Sequence, residues 1–163
     1  MRKVSTFLWF DRDAEAAVRF YVSLFPNAKI NNVARYPEGT TAGPAGEVMT
    51  IEFEIDGADF VALNGGPHFK FNEAVSLSID CESQAEVDRY WAALTANGGE
   101  EAPCGWCKDR WGLSWQVVPR RLNQLVSDPD PRRAKAAMDV MMTQKKIVIA
   151  DIEAGADAVA AAA

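Results

Sequence analysis

Two stretches of the chain share one pattern, and that pattern decides the fold. The first is TFLWFDRDAEAAVRFYVSLF, residues 6–25, and the second is VSLSIDCESQAEVDRYWAAL, residues 75–94. In each stretch a short apolar run, typical of a buried strand, leads into apolar residues at helical spacing. A shift of 69 residues aligns the two, as from Tyr21 to Tyr90. The repeat indicates an internal duplication of a unit that begins with a strand and a helix.

Three more strands are predicted after the first helix. Residues 28–36 (AKINNVARY) read as a strand, and residues 47–55 (EVMTIEFEI) alternate between apolar and polar side chains. Asp56-Gly57 is a strong hairpin signal that leads into a fourth strand, residues 58–64. Because Glu52 and Glu54 fall on the polar face of their strand, we expect them to face solvent, and the alternative is that either faces the ligand cup.

The second unit follows the same order. Ser83 and Glu86 have the spacing of a capping box before its helix, whereas Asp11 or Asp13 is expected to cap the first helix. Two strands are then predicted, EEAPCGWCKD and LSWQVVP, and they are joined by a turn that we expect to be solvated. That turn begins with Lys108, Asp109 and Arg110.

Beyond Pro119 the pattern becomes helical. Three helical segments are expected, with a break at the sequence DPDP, and the terminal run of alanines is assigned no structure. The second segment has an apolar stripe made of Ala134, Ala137, Met138, Met141 and Met142. The stripe is expected to pack at the contact of a homodimer, and the alternative is a tail folded back on its own domain.

The pattern predicts an α+β fold in a single domain of residues 1–163. Tandem βαβββ modules occupy residues 3–72 and 73–120, the second less regular than the first. A helical tail occupies residues 121–160.

Composition narrows the function. A net charge of −6 argues against a nucleic-acid surface, so the pairs Arg120-Arg121 and Arg132-Arg133 are expected to be solvated. The apolar runs fall short of the ~20 residues that a membrane-spanning helix needs, so no membrane partner is expected. Three cysteines form no disulfide framework, which favours a reducing cytoplasm.

The sequence Cys104-Gly-Trp-Cys107 has the spacing of a redox dithiol or of half a zinc site. We place both cysteines in one strand, where residues three apart point to opposite faces, so a disulfide or a shared zinc ion is disfavoured. A Cys3His site with Cys81 and His68 suits zinc by residue type but not by spacing. Free, dispensable thiols are therefore expected, unless a turn lies near Gly105.

Several long strings of this sequence resemble one protein family. They include FLWFDRDAEAAVRFYVSLFPNAKI, ALNGGPHFKF and GLSWQVVP, within residues 4–150. The chain resembles the vicinal-oxygen-chelate superfamily, which includes glyoxalases, dioxygenases and bleomycin-resistance proteins. The resemblance is strongest to its PhnB-like branch, also called the 3-demethylubiquinone-9 3-methyltransferase domain. It implies a glyoxalase-like fold of eight strands, with each module curved around a cup, and a dimer.

The resemblance also assigns positions for a metal. Catalytic members hold a divalent ion with His, Glu or Gln on the first and last strands of each module. The corresponding positions here are Thr6, Ala62, Val75 and Gln116. They provide too few donors for a metal, so neither metal nor cofactor is expected. A glycine-rich turn that opens a helix is also missing, which argues against methyl transfer.

Two functions remain open. The first is the binding of a small, partly aromatic or apolar ligand in the cup, with candidate contacts at Thr6, Trp106, Lys108, Trp111 and Gln116. The second is an enzyme in which His68, with Asn64, acts as acid or base. His68 could instead pack as a loop residue or at a dimer contact. Trp9 and Trp115 could line the cup or belong to ordinary packing.

Overall fold

The protein is described by a computed structural model over residues 3–161. The chain forms two compact units that divide between Phe71 and Asn72. Each unit contains one four-stranded sheet and a helix inserted after its first strand, and three further helices follow the second sheet. The predicted α+β class, with eight strands and a helical tail, is confirmed.

In the first unit the strand order is β1-β4-β3-β2, with β1 parallel to β4 and the other pairs antiparallel. Its elements are β1 (Thr6–Phe10), α1 (Ala14–Leu24), β2 (Ala28–Arg35), β3 (Val48–Ile55) and β4 (Ala58–Asn64). The predicted hairpin forms at Asp56-Gly57, where both residues have positive φ angles of 46° and 76°. Such angles suit the twist of a two-residue hairpin.

One face of this sheet is covered by α1. The helix buries Val18 and Tyr21 completely, and the Tyr21 ring stacks on Phe53 of β3 at 6.4 Å between centroids. Because side chains alternate along a strand, the residues between the buried ones emerge on the other side. We call that side the first open face. It carries Ser5, Phe7, Thr50, Glu52, Glu54 and Val61.

The first helix is capped from a distant strand. Asn64 Oδ1 accepts a hydrogen bond of 2.9 Å from the backbone N–H of Ala14, and Asn64 Nδ2 donates to the Val48 carbonyl at 3.0 Å. The Asp13 side chain makes no capping hydrogen bond. The predicted cap by Asp11 or Asp13 is therefore wrong, because the end of the parallel neighbour of β1 supplies the acceptor instead.

The second unit repeats this topology, with the order β5-β8-β7-β6 and with β5 parallel to β8. Its elements are β5 (Ser76–Cys81), α2 (Gln84–Thr95), a 3-10 turn (Ala96–Gly98), β6 (Glu100–Glu101), β7 (Trp106–Lys108) and β8 (Ser114–Pro119). The predicted cap by Ser83 is confirmed, since Ser83 Oγ accepts from the N–H of Glu86 at 3.3 Å, while the Glu86 carboxylate accepts from the N–H of Glu82 at 2.7 Å.

The predicted strand through both cysteines is wrong. A turn with positive φ at Cys104 (62°) and Gly105 (80°) separates β6 from β7. Gly105 suits this turn, because a methyl group there would lie 3.0 Å from the Val117 carbonyl oxygen. The argument from opposite strand faces therefore fails, although the three cysteines are free thiols.

The turn from β7 to β8 is built around Asp109, which is only 2% exposed. Its Oδ1 accepts from the backbone N–H groups of Trp111 and Leu113, and its Oδ2 accepts from the Trp115 indole N–H at 2.9 Å. Asp109 was expected in a solvated turn, and that expectation is wrong because all three donors need a buried acceptor.

The tail folds on its own unit. It consists of α3 (Arg120–Val126), α4 (Pro131–Met141) and α5 (Ile149–Ala161). Residues 162 and 163, the end of the alanine run, lie outside the described residues. A separate core forms from Leu122, Leu125, Ala137, Ile147, Ile152 and Ala156.

Only part of the predicted apolar stripe on α4 is buried. Ala137 is fully covered, whereas Met138 and Met142 remain 42% and 62% exposed. Two backbone hydrogen bonds, from Cys104 and Gly105 to the carbonyls of Gln144 and Lys145, fix the tail to the turn before β7. Among residues 3–161, no helix has the length and apolar character to cross a membrane.

Candidate functional site

The first open face holds a cavity of about 500 Å³. A cavity of this volume is in the range that accommodates small organic ligands. The Phe7 ring is 61% exposed there, which is unusual for a side chain of this size on a sheet. The cavity therefore combines an apolar surface with polar groups from the neighbouring strands, including Ser5, Asn31 and Thr50.

Acidic groups dominate the polar lining of this cavity. Glu52, Glu54 and Asp59 all line it. Lys29 Nζ lies 3.7 Å from Glu54 Oε2 and offsets part of that charge. Glu52 is half-buried, and nothing in residues 3–161 forms a hydrogen bond or ion pair with its carboxylate. Both glutamates line this cavity, on the open face of the sheet.

A second cavity in this unit, of about 180 Å³, brings together the two predicted catalytic residues. His68 and Asn64 both line it, along with Arg12 and Tyr36. The Asn64 side-chain amide is occupied by the hydrogen bonds to the backbone already described, and the Asn64 backbone carbonyl accepts from the Tyr36 hydroxyl. The His68 side chain is exposed. Asn64 therefore positions α1, β3 and β4 around the exposed imidazole.

The loop that carries His68 packs against Trp9. The indole N–H of Trp9 donates to the Gly66 carbonyl at 2.8 Å, and the Phe69 ring meets the indole edge-on at 4.9 Å. A methyl group at Gly65 would lie 2.3 Å from Trp9 Cζ2, so only glycine fits beneath the ring. Trp9 therefore holds the loop next to the end of β4.

The second sheet has a face opposite the buried Trp115 and Val117, and we call it the second open face. It carries Ser76, Trp106, Lys108, Ser114 and Gln116. A cavity of about 120 Å³ lies there, and its lining includes Glu73, Glu100, Trp106, Lys108 and Ser114. Lys108 Nζ forms a salt bridge with Glu73. That hydrogen bond lowers the pKa of the Glu73 carboxyl and raises the pKa of the Lys108 ammonium.

The other predicted ligand contacts are more dispersed. Gln116 Nε2 donates to Ser76 Oγ at 2.8 Å, and Trp111 lies in the Asp109 turn beneath the Arg110 guanidinium, 5.0 Å from its ring centroid. Thr6 has the strand parity of Leu8 and Phe10, on the side opposite Phe7. Trp115 is 2% exposed and belongs to the core of its unit.

The residues at the superfamily's metal positions are poor donors. Ala62 is completely buried on the helix side, and Val75 precedes β5 with 64% of its surface exposed. The neighbouring positions on the first open face are Ser5 and Val61. Within residues 3–161, no group of three or more His, Cys, Asp or Glu side chains is arranged to hold a metal ion.

Two of the three thiols are held in the protonated, unreactive form. Cys81 and Cys107 are buried, and burial raises the pKa of each to about 12. A thiol must ionise to act as a nucleophile or a metal ligand. Cys104 is partly exposed, with its Sγ 3.6 Å from the Met142 Sδ.

Comparison with known proteins identifies the family. The family model described as 3-demethylubiquinone-9 3-methyltransferase matches residues 2–118. The chain belongs to this family. The match stops just before α3, so the helical tail lies outside it.

Solved structures of similar proteins share the fold of this chain. A PhnB protein from Bacillus cereus is 32% identical, with a TM-score of 0.66, over 72% of this chain and 99% of that one. A Pseudomonas aeruginosa protein is 21% identical, with a TM-score of 0.55, over 73% of this chain and 98% of that one. A glyoxalase/bleomycin resistance protein from Albidiferax ferrireducens is 18% identical, with a TM-score of 0.47, over 73% of this chain and 99% of that one. No curated protein matches.

Sequence reasoning did not single out Phe7 or Ser114 as cavity residues, and it gave Glu52 a place in the cup only as the alternative. The alternation in β3 was a sufficient signal that Glu52 lies opposite the buried Ile51 and Phe53. What it could not tell is that no other layer of the first unit covers that face. Ser114 had no signal, because serine is common beside turns.

Proposed function

We propose that the chain is a small-molecule binding protein. Its ligand would have an apolar or aromatic body and a positively charged group, and would bind in the cavity of the first open face. The observation that carries this proposal is that the exposed Phe7 ring and the half-buried Glu52 carboxylate line one cavity of about 500 Å³.

The energetics favour such a ligand. Covering an exposed aromatic ring with an apolar group stabilises a complex by about 25 cal/mol per Å² of apolar area removed from water. A cation next to Glu52 would compensate a carboxylate that is already partly desolvated, which strengthens the interaction relative to a fully exposed pair. A negatively charged ligand would meet Glu52, Glu54 and Asp59 together.

We also propose that the superfamily's metal site is degenerate in this chain. The positions that correspond to the metal ligands hold Thr6, Ala62, Val75 and Gln116. The Gln116 amide already donates to Ser76. Divalent metals need several converging donors. This proposal would favour binding over metal-assisted chemistry, and elemental analysis of the purified protein, with Gln116→Ala as the comparison, tests it.

Calorimetric titration with three related probes tests the binding proposal. The probes are 2-phenylethylamine, the neutral 2-phenylethanol and the anionic phenylacetate. We expect the amine to bind most tightly, and Phe7→Ala to weaken the amine and the alcohol alike by about tenfold, as the loss of one buried aromatic contact implies. Glu52→Gln should weaken the amine only.

Glu15→Gln is the matched control, because Glu15 lies on α1 in an exposed pair with Arg19 and outside the cavity. It should leave all three affinities unchanged. Equal affinity for amine and alcohol, unaffected by Glu52→Gln, would refute the charge preference. If Phe7→Ala weakens the binding of none of the three probes, the proposed site is refuted.

One observation favours an enzyme as the second candidate. His68 and Asn64 line the same cavity as Arg12 and Tyr36, and the imidazole is accessible there. A general acid or base must lie within reach of its substrate. If this candidate holds, His68→Gln will abolish turnover of a substrate without affecting the binding of the amine probe.

We further propose a homodimer in a reducing cytoplasm. Met138 and Met142 leave apolar surface on α4 exposed, and three free thiols suit a reducing compartment. Light scattering of the full chain and of Met138→Glu/Met142→Glu tests the dimer. A monomer at high micromolar concentration for the unmodified chain would exclude it.

A further inference from the structure

The cavity of the second open face contains a polar group without a partner. Ser114 is 1% exposed, and its Oγ makes no hydrogen bond within the described residues. Leaving a buried hydroxyl unpaired costs about 1–3 kcal/mol. Ser114 forms part of the wall of the cavity of about 120 Å³.

A cation lies beside this hydroxyl. Lys108 is the direct cross-strand partner of Ser114 in the antiparallel pair of β7 and β8, so both side chains emerge on the same face. The Lys108 side chain is 29% exposed, and it lines the same cavity. An ammonium and a hydroxyl at adjacent positions provide two donors for one carboxylate.

A carboxylate of the chain already occupies the ammonium. Glu73, in the turn before β5, forms the salt bridge with Lys108, and its side chain is 64% exposed. Exposed ion pairs of this kind stabilise a protein by only about 0–1 kcal/mol. A ligand carboxylate that also reaches Ser114 would therefore displace Glu73 at small cost.

We propose that Lys108 and Ser114 form a binding subsite for a small organic carboxylate, with Glu73 as an internal competitor for Lys108. The ligand's apolar part would lie against Trp106, which is two residues before Lys108 on the same face and lines the cavity. This subsite belongs to the second unit and does not depend on the function proposed for the first open face.

The neighbouring acids do not convert the site into one for cations. The Glu101 carboxylate is engaged by the Trp91 indole N–H at 2.9 Å and lies 3.7 Å from Lys145. Glu100 is exposed at the edge strand β6. Lys108 is thus the charged residue that directly faces the unpaired hydroxyl in the strand register, and it selects an anion.

Titration with benzoate, followed by tryptophan fluorescence and calorimetry, tests the proposal on the full chain. Glu73→Gln should tighten benzoate binding several-fold, because the competitor is removed. Lys108→Met should weaken it more than tenfold. Ser114→Ala should weaken it about fivefold, as expected for one hydrogen bond.

Glu82→Gln is the matched control, since it removes the same charge from an exposed residue of the same unit that does not line the cavity. It should leave the benzoate affinity unchanged. Circular dichroism checks that each variant is folded, and Glu73→Gln keeps the test valid if Ser114→Ala fails to fold.

Four outcomes would overturn the proposal. If Glu73→Gln weakens benzoate binding or leaves it unchanged, Glu73 does not compete with the ligand for Lys108. Tighter binding of benzylamine than of benzoate, lost in Glu73→Gln, would show a cation site formed by Glu73. Benzoate binding by neither the unmodified chain nor Glu73→Gln would exclude the subsite. Sensitivity of benzoate to Glu52→Gln would place it on the first open face.

Discussion

The two units have the same topology but use their sheets differently. In both, the helix side is a dry core in which Val18 and Tyr21 of α1 correspond to Val87 and Tyr90 of α2. On the other side, the first open face has a cavity of about 500 Å³ and the second has one of about 120 Å³. After duplication, packing preserved the helix side, because close-packed cores tolerate few changes of volume. The open faces were free to acquire different charges.

The units differ again where their strands turn and end. The first closes its last hairpin with Asp56-Gly57, which requires only local backbone angles. The second closes its last hairpin around the buried Asp109 carboxylate and continues into three helices. The second unit therefore depends on buried polar contacts and on a tail that the family match does not include.

The largest effect is expected from Asp109→Ala. The change leaves two backbone N–H groups and the Trp115 indole without their acceptor. We expect the free energy of unfolding to fall by about 4 kcal/mol, since each buried unpaired donor costs about 1–3 kcal/mol. Urea unfolding followed by tryptophan fluorescence measures this. Asp109→Asn keeps one oxygen acceptor, so its free energy of unfolding should lie between those of the unmodified chain and of Asp109→Ala. A loss below about 1 kcal/mol for Asp109→Ala contradicts the assigned role of the carboxylate.

Two substitutions of buried isoleucines by alanine test whether the units are stabilised separately. Ile147 and Ile51 are both fully buried, in the tail core and in β3 respectively. Each change to alanine should cost about 3 kcal/mol. Ile147→Ala should accelerate hydrogen exchange of the backbone amides in the second unit, and Ile51→Ala should accelerate it in the first. Equal acceleration of both units by either variant would show that they unfold together.

Alkaline pH should distinguish the units through their thiols. All three cysteines follow Phe71, and the raised pKa values of Cys81 and Cys107, about 12, mean that folding favours the protonated form. This contribution is fully present below the unfolded pKa near 9 and is lost as pH rises towards 12.

Hydrogen exchange between pH 9 and 10.5, compared with the Cys81→Ala/Cys107→Ala variant, measures that loss. The second unit of the unmodified chain should be destabilised more than that of the variant. A thiol reagent at neutral pH should modify Cys104 first. An identical pH dependence in both proteins would contradict the assignment to the thiols.

The smallest effect is expected at the first hairpin. Asp56 has a φ of 46°, so Asp56→Ala should cost about 1 kcal/mol from backbone strain alone. Asp56→Asn and Asp56→Gly should be close to neutral, because these residues tolerate positive φ. Thermal unfolding of the three variants measures the difference. A loss as large as that of Asp109→Ala would remove the contrast between the two turns.

Local sequence patterns predicted most of the elements. The alternation in residues 47–55 and the helical spacing after Asp13 and after Ser83 correspond to β3, α1 and α2. These signals are reliable because a residue's face is fixed by the period of its own element. The same local rules failed at Cys104, since a two-residue turn inside an apparent strand is set by contacts with the tail.

The sequence by itself determined the duplication, the α+β class and the family, since these depend on spacing that is visible along the chain. Only the tertiary structure decided which residue caps α1, that Asp109 is buried, and that Glu52 and Phe7 share a cavity. Each of these depends on residues far apart in sequence. A hydrogen bond such as that from Ala14 to Asn64 forms only because the parallel pairing of β1 and β4 brings the end of β4 to the start of α1.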